Sequence, residues 1–253
     1  QHGFWRFHDT NHRLYQPGNP YEHVIRDYYR TLDAEIGQTL AALDPQPSVM
    51  VVSDHGAKTM VGAICINEWL QREGYLRLRE QPQSQVRMKT DMVDWSGTTA
   101  WGEGGYYSRI FMNVQGREPQ GLVPAPDYHK VRDQLKEKLE AIPDEDGKPL
   151  GTRVFKPEET YKKCAGIPPD LIVYLGNLDW RSAGSVGTGS IYLYENDTGP
   201  DDANHAQDGM LIWRLPGRPA SQGHFSIYDI APSVMRFFNL DIPADMIGNP
   251  IIS

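Results

Sequence analysis

The residues best suited to chemistry are Ser53-Asp54-His55-Gly56, which directly follow the apolar run Val49-Met50-Val51-Val52. A carboxylate oxygen and a neutral imidazole nitrogen are both good ligands for zinc and similar divalent cations, and a strand end can aim adjacent side chains at one point. In open α/β sheets ligands bind beyond the carboxyl ends of strands, so Asp54 and His55 fall where chemistry is expected. The bland reading is a capping Asp beside a loop His. For a bare Asp-His pair that reading comes first, and the position after a strand narrows the gap.

Asn204-His205-Ala206-Gln207-Asp208-Gly209 forms a second constellation, just ahead of the apolar run Met210-Leu211-Ile212-Trp213. His205 reads there either as an imidazole ligand or as a polar loop residue. His2, His8 and His12 cluster near the start among Phe4, Trp5 and Phe7, and spacing alone does not choose a ligand among them. Asp201 and Asp202, flanked by Pro200 and Ala203, read as a turn or as support behind a metal ligand. Glycine-rich phosphate loops, Gly-x-Ser-x-Gly elbows, dinucleotide fingerprints and His-Glu-x-x-His helices do not occur, which disfavours kinase, lipase, dehydrogenase and metalloprotease chemistry.

Periodicity supplies the elements that must position these residues. From Asn19-Pro20, the residues Tyr21, Val24, Ile25, Tyr28, Leu32, Ile36, Leu40 and Leu43 recur at three- and four-residue steps, predicting a long amphipathic helix that ends near Asp44-Pro45. The run Val49 to Val52 then reads as a strand covered on both faces. Further helices are predicted over Ile66 to Glu73, stopped by Gly74, and over Tyr128 to Ile142, capped by Asp127. Tyr106 to Val114, Leu171 to Leu175 and Met210 to Trp213 have strand character. Ser226 with Asp229 opens a last helix through Ile230, Val234, Phe237 and Phe238. The predicted fold class is α/β, a mostly parallel sheet flanked by helices, with an inserted cap-like region within residues 60–150.

The chain has 253 residues, a net charge of -8 and 2 cysteines, Cys65 and Cys164. That length allows one sizeable α/β domain. The acidic balance argues against a surface that holds nucleic acid or an anionic membrane, and an anionic substrate would need local cations. The two cysteines read as buried small hydrophobes. Absence of a long apolar run makes a soluble cytoplasmic protein the expectation. Asn196-Asp197-Thr198 fits the glycosylation tripeptide and reads as a chance match in a polar loop. The chain opens at Gln1, directly in the run His2-Gly3-Phe4-Trp5, and the expectation is that a preceding segment has been removed.

Taken together these pieces resemble the type I phosphodiesterase/nucleotide pyrophosphatase family of the alkaline phosphatase superfamily. The resemblance rests on Gln1-His2 with Phe4-Trp5-Arg6-Phe7, on Val51 to Gly56, on Asn204-His205 with Asp208-Gly209, and on Asp229 to Val234 leading to Leu240-Asp241-Ile242-Pro243. It implies an alkaline-phosphatase-like fold, two divalent ions, zinc before manganese or magnesium, and a covalent phospho-enzyme. It implies Asp54 and His55 as ligands of the ion that activates the nucleophile, and His2 and His205 as ligands of the ion on the leaving-group side. The family sets its Thr or Ser nucleophile, and one more Asp for each ion, ahead of the position of His2.

That order makes residues 1–253 the C-terminal part of one such domain. By itself this part is expected to bind metal weakly, to lack turnover, and to expose an apolar edge that pairs with the preceding segment or a second chain. The implied substrate is a small phosphodiester or nucleotide. Phosphomonoesterase, sulfatase and phosphomutase activities of the same superfamily, and a non-catalytic domain that kept the fold, are the competing readings.

Overall fold

The computed structural model describes residues 1–43, 47–195, 199–217 and 222–252. The expected helix end at Asp44-Pro45 and the tripeptide Asn196-Asp197-Thr198 lie outside them. In chain order the helices are α1 (Trp5–His8), α2 (Val24–Ala41), α3 (Ile66–Arg72), α4 (Tyr128–Glu140), α5 (Pro157–Thr160) and α6 (Ile230–Phe237). The strands are β1 (Val49–Val52), β2 (Gly56–Thr59), β3 (Gly62–Cys65), β4 (Val86–Arg87), β5 (Ala100–Glu103), β6 (Ser108–Met112), β7 (Arg153–Phe155), β8 (Leu171–Tyr174), β9 (Trp180–Ala183), β10 (Ser185–Val186), β11 (Tyr192–Leu193), β12 (Ala203–Ala206) and β13 (Leu211–Arg214). The chain divides into two compact units, residues 1–33 with 57–206, and residues 34–56 with 207–253. No helix among the described residues is long and apolar enough to cross a membrane.

The first unit carries the main core. Its largest sheet has the order β5-β6-β8-β7. Ser108, Ile110 and Met112 alternate inward along β6, and Leu171 and Val173 do so along β8. The register pairs Ile110 with Leu171 and Ser108 with Val173, so the buried sets of the two strands coincide. Helix α4 lays Arg132, Leu135 and Leu139 toward the core at helical spacing. Its N-terminus departs from expectation: Asp127 has helical backbone angles and makes no side-chain cap, because a 3-10 turn over Ala125–Asp127 precedes the helix. Helix α3 ends as predicted, with Gly74 at φ +77°, where a side chain would be strained.

The mostly parallel sheet expected from sequence is not what forms. Among the described pairings whose register is resolved, β3 with β9 is parallel and the others are antiparallel. Runs of β-branched residues mark a strand but carry no information on its direction. Residues 104–107 join β5 to β6, and a link that short permits only antiparallel pairing.

In the second unit β1 pairs antiparallel with β13, Val49 opposite Arg214 through Val52 opposite Leu211. Strand β1 is half-exposed and Val52 is 42% exposed, so it is not covered on both faces as predicted. Its apolar run reflects strand propensity more than depth. Ser226 and Asp229 form the predicted capping box ahead of α6: Ser226 Oγ accepts from the Tyr228 N–H at 3.3 Å, and Asp229 Oδ2 accepts from the Ser226 N–H at 2.8 Å. Phe238, Leu240 and Ile212 are 63%, 57% and 55% exposed.

Helix α2 begins at Val24, later than predicted, because Asn19 Oδ1 accepts from the Tyr21 N–H and holds residues 20–23 as a turn. Ile25 is its one buried residue, while Tyr28 and Ile36 are 51% and 43% exposed. The two cysteines differ: Cys65 is buried in β3 as expected, and Cys164 is exposed on the loop after α5, where flanking polar residues keep it at the surface.

Candidate functional site

Three short segments of the first unit bring His2 and His205 together. His2 opens a one-turn 3-10 helix that runs into α1. The Asp202 N–H donates to the His2 carbonyl at 3.1 Å, and a Cβ on Gly3 would meet the Pro200 carbonyl at 3.3 Å, so the turn sits tightly on residues 200–202. Trp5 Nε1 donates to Thr59 Oγ1 at 3.0 Å, and Thr59 in turn donates to Asp9, which fastens α1 to β2. His205 lies on β12, the partner of β2. The His2 and His205 rings meet edge to face with centroids 5.8 Å apart.

Behind them stands Asp201, whose Oδ1 lies 2.7 Å from His2 Nδ1. A carboxylate only accepts, so Nδ1 carries a proton, and in the neutral ring Nε2 is the nitrogen with the lone pair. This is the arrangement that fixes the tautomer and orientation of metal-ligating histidines. Asp201 thus orients the His2 ring.

Tyr106 closes the cluster. Its ring stacks on His205 at 4.0 Å and 29°, meets His2 edge-on at 5.6 Å, and its hydroxyl donates to Asp201 Oδ2 at 3.2 Å. Burial first, then the charge and hydrogen bond of Asp201, push the phenol above its ordinary value of 10.0, so it remains a donor. Sequence reasoning missed this residue. The signal was Gly104-Gly105 just before it: paired glycines at a strand end mark close approach of backbone. A Cβ on Gly104 would lie 2.6 Å from the Ser182 carbonyl and the Gly184 nitrogen of the neighbouring β9 turn.

The other N-terminal histidines take different places. His12 is buried, accepts the Leu14 N–H on Nδ1 at 3.1 Å, and burial holds it below the ordinary imidazole value. His8 is exposed and lies edge-on to Trp5. A cavity of about 400 Å³ borders Asp201 and Asp202, with Arg6, His12, Arg13 and Arg181 on its walls.

Asp54 and His55 belong to the second unit, at the end of β1. Ser53 Oγ accepts from the Met210 N–H at 2.7 Å, and Met210 O accepts from the Ser53 N–H at 3.0 Å, which brings Ser53-Asp54-His55 against Asp208-Gly209. A Cβ on Gly209 would stand 2.7 Å from Ser53 Oγ, so only glycine fits. His55 Nδ1 lies 2.9 Å from the Gly56 carbonyl, which assigns the proton to Nδ1 and turns Nε2 toward Asp54 Oδ2 at 3.6 Å. Two ligands about 2.0–2.2 Å from one tetrahedral zinc lie roughly 3.4 Å apart, so this pair has the right spacing for a shared cation. The Asp54 side chain is 83% exposed.

The donors therefore fit divalent cations in kind, and Asp54 with His55 also in spacing. They do not complete a site: among the described residues no group of three or more His, Cys, Asp or Glu could hold a metal ion. Each pair offers two ligands where zinc takes three or four.

Thr98 and Arg117 are structural. Thr98 is buried and its Oγ1 donates to the Asp94 carbonyl at 2.8 Å. Arg117 grips Asp170 through both terminal guanidinium nitrogens at 2.7 Å.

With the geometry in hand, comparison with known families gives the class. The profile of the type I phosphodiesterase / nucleotide pyrophosphatase family matches residues 4–201. The chain belongs to that family, whose members are hydrolases of phosphodiester type and generally metal-dependent. The matched span includes Asp54, His55 and Asp201 and stops short of His2 and His205. Comparison with curated proteins and with solved structures returned no match.

Proposed function

We propose that this chain supplies cation ligands to a hydrolase of phosphodiester or nucleotide pyrophosphate bonds, His2 and His205 serving one divalent ion and Asp54 and His55 another. The observation that carries the reading is the meeting of His2 with His205, with Asp201 on the Nδ1 of His2. Zinc suits this mixture of imidazole and carboxylate, while the all-oxygen preference of magnesium suits it less. Divalent ions held by these residues would supply Lewis-acid neutralisation of phosphoryl charge.

The protein's own groups set up that chemistry. Asp201 places the proton of the neutral His2 ring on Nδ1 and so leaves Nε2 as its ligand nitrogen. The Gly56 carbonyl does the equivalent for His55. The attacking hydroxyl is a Thr or Ser that the family's motif order sets ahead of His2, forming a covalent phospho-enzyme. Thr98 is not that group, since its hydroxyl is buried and committed to Asp94. With a net charge of -8, a small phosphodiester or nucleotide suits the protein better than a nucleic-acid polymer.

The test is turnover of bis-p-nitrophenyl phosphate, p-nitrophenyl phosphate and p-nitrophenyl sulfate by zinc-loaded protein that includes the nucleophile-bearing segment. The diester is expected to be preferred, with His205→Ala and Asp54→Ala each lowering kcat/KM more than about 100-fold. Undiminished diester turnover in both variants, or preference for the sulfate ester, overturns the reading.

A further inference from the structure

Tyr106 makes more contacts to the histidine pair than packing alone requires. Its ring covers His205 at 4.0 Å, its edge meets His2 at 5.6 Å, and its hydroxyl reaches the carboxylate that holds His2. Its main chain is tied to the same strand: Asn204, fully buried, donates from Nδ2 to the Tyr106 carbonyl at 3.2 Å and accepts the His205 N–H on Oδ1 at 2.8 Å. One asparagine thus joins the backbone of Tyr106 to that of His205. The turn behind is rigid, since Gly105 and Ser182 exchange N–H to carbonyl bonds at 2.9 and 2.8 Å and Gly104 leaves no room for a side chain.

We infer that Tyr106 is the positioning residue for the His2–His205 pair, its ring setting the plane of one imidazole and its hydroxyl, through Asp201, setting the tautomer and plane of the other. The inference rests on the reading of these histidines as ligands of a divalent cation. Two imidazoles sharing one ion need their planes held independently, because each ring turns about its own Cβ–Cγ bond and metal–nitrogen distances of about 2.0–2.1 Å tolerate little misalignment. One side chain that touches both rings and the carboxylate on His2 restrains both rotations. Phenylalanine at 106 would keep the stack and lose the hold on Asp201; leucine would lose both.

Two measurements test this on the full chain, with Tyr106→Phe, Tyr106→Leu and His205→Ala compared by melting temperature to confirm folding. The first is ring 15N NMR of metal-free protein at about pH 8.5, above the ordinary imidazole range. His2 is expected to hold the Nδ1–H tautomer in the native protein, to lose part of that preference in Tyr106→Phe and most of it in Tyr106→Leu. The second is titration with Co²⁺ alone, read by its visible spectrum, with affinity expected to fall about 10-fold in Tyr106→Phe and up to about 100-fold in Tyr106→Leu. If His2 keeps its tautomer and Co²⁺ its affinity in both Tyr106 variants while His205→Ala abolishes binding, the positioning role is wrong and the cation reading survives. If the tautomer relaxes but Co²⁺ binding is unchanged even in His205→Ala, the positioning role stands and the cation reading is the one that fails.

Discussion

Asp201 and His2 stand 199 positions apart in sequence, and the carboxylate Oδ1 of the first lies 2.7 Å from Nδ1 of the second. The contact decides which nitrogen of His2 can face a ligand. In Asp201→Asn the amide can turn its NH₂ toward Nδ1 and invert the tautomer, with no change of shape. Divalent-cation affinity is expected to fall about 10- to 100-fold, with the melting temperature nearly unchanged. Calorimetric titration with zinc checks it, and an affinity equal to the native protein's would remove Asp201 from the account.

Asp170 is 3% exposed and receives Arg117 in bidentate fashion, the Tyr128 hydroxyl at 2.6 Å and the Met112 N–H at 2.6 Å. Burial, then the bond to Asp170, push the Tyr128 phenol up to about 12. Asp170→Ala strips three donors at once and is expected to cost about 3 kcal/mol, less than a fully buried pair because the Arg117 side chain is 44% exposed. Urea denaturation gives the value; a loss under 1 kcal/mol would mean that water replaces the carboxylate.

Asp9 gives a pH dependence with a defined sign. Burial works to raise its pKa, but hydrogen bonds from Thr59, Asn11 and Trp5 outweigh it and hold the group below its ordinary 3.8. The unfolded chain therefore binds the proton more readily. Its stabilisation is present above the ordinary carboxylate pKa and is lost as pH falls through the lower folded value. Asp9→Asn is expected to lose less stability than the native protein between pH 7 and pH 3, as read by thermal melting. Equal acid losses would contradict the assignment.

Phe238, Leu240 and Ile212, all in the second unit, are more than half exposed. Apolar surface of this kind binds hydrophobic dyes. Native protein is expected to enhance dye fluorescence, and Phe238→Asp with Leu240→Asp to reduce that signal without lowering the melting temperature. A native protein that leaves the dye dark would refute it.

Local chemistry was legible in the sequence. Gly74 stops α3 and Ser226 with Asp229 opens the last helical turns because each depends on residues within one turn of chain. The alternating strands β6 and β8 announced themselves for the same reason. Strand direction did not, since it depends on which segments meet and on the length of the links between them. The periodicity of α2 predicted a helix but could not supply a surface to cover Tyr28 and Ile36.

At the site, His2 could not be chosen over His8 and His12 from spacing. The choice needs the fold of residues 200–205 against the first turn. Tyr106 reaches Asp201 across 95 positions, a contact that no local pattern encodes, and only Gly104-Gly105 hinted at it.

The most direct test of the account is zinc stoichiometry by equilibrium dialysis on protein that includes the nucleophile-bearing segment, native and with His205→Ala or Asp54→Ala, each verified as folded. The account predicts two zinc ions on the native protein, one lost with each substitution and neither substitution affecting the other's site. Zinc content that stays the same in both variants would contradict it.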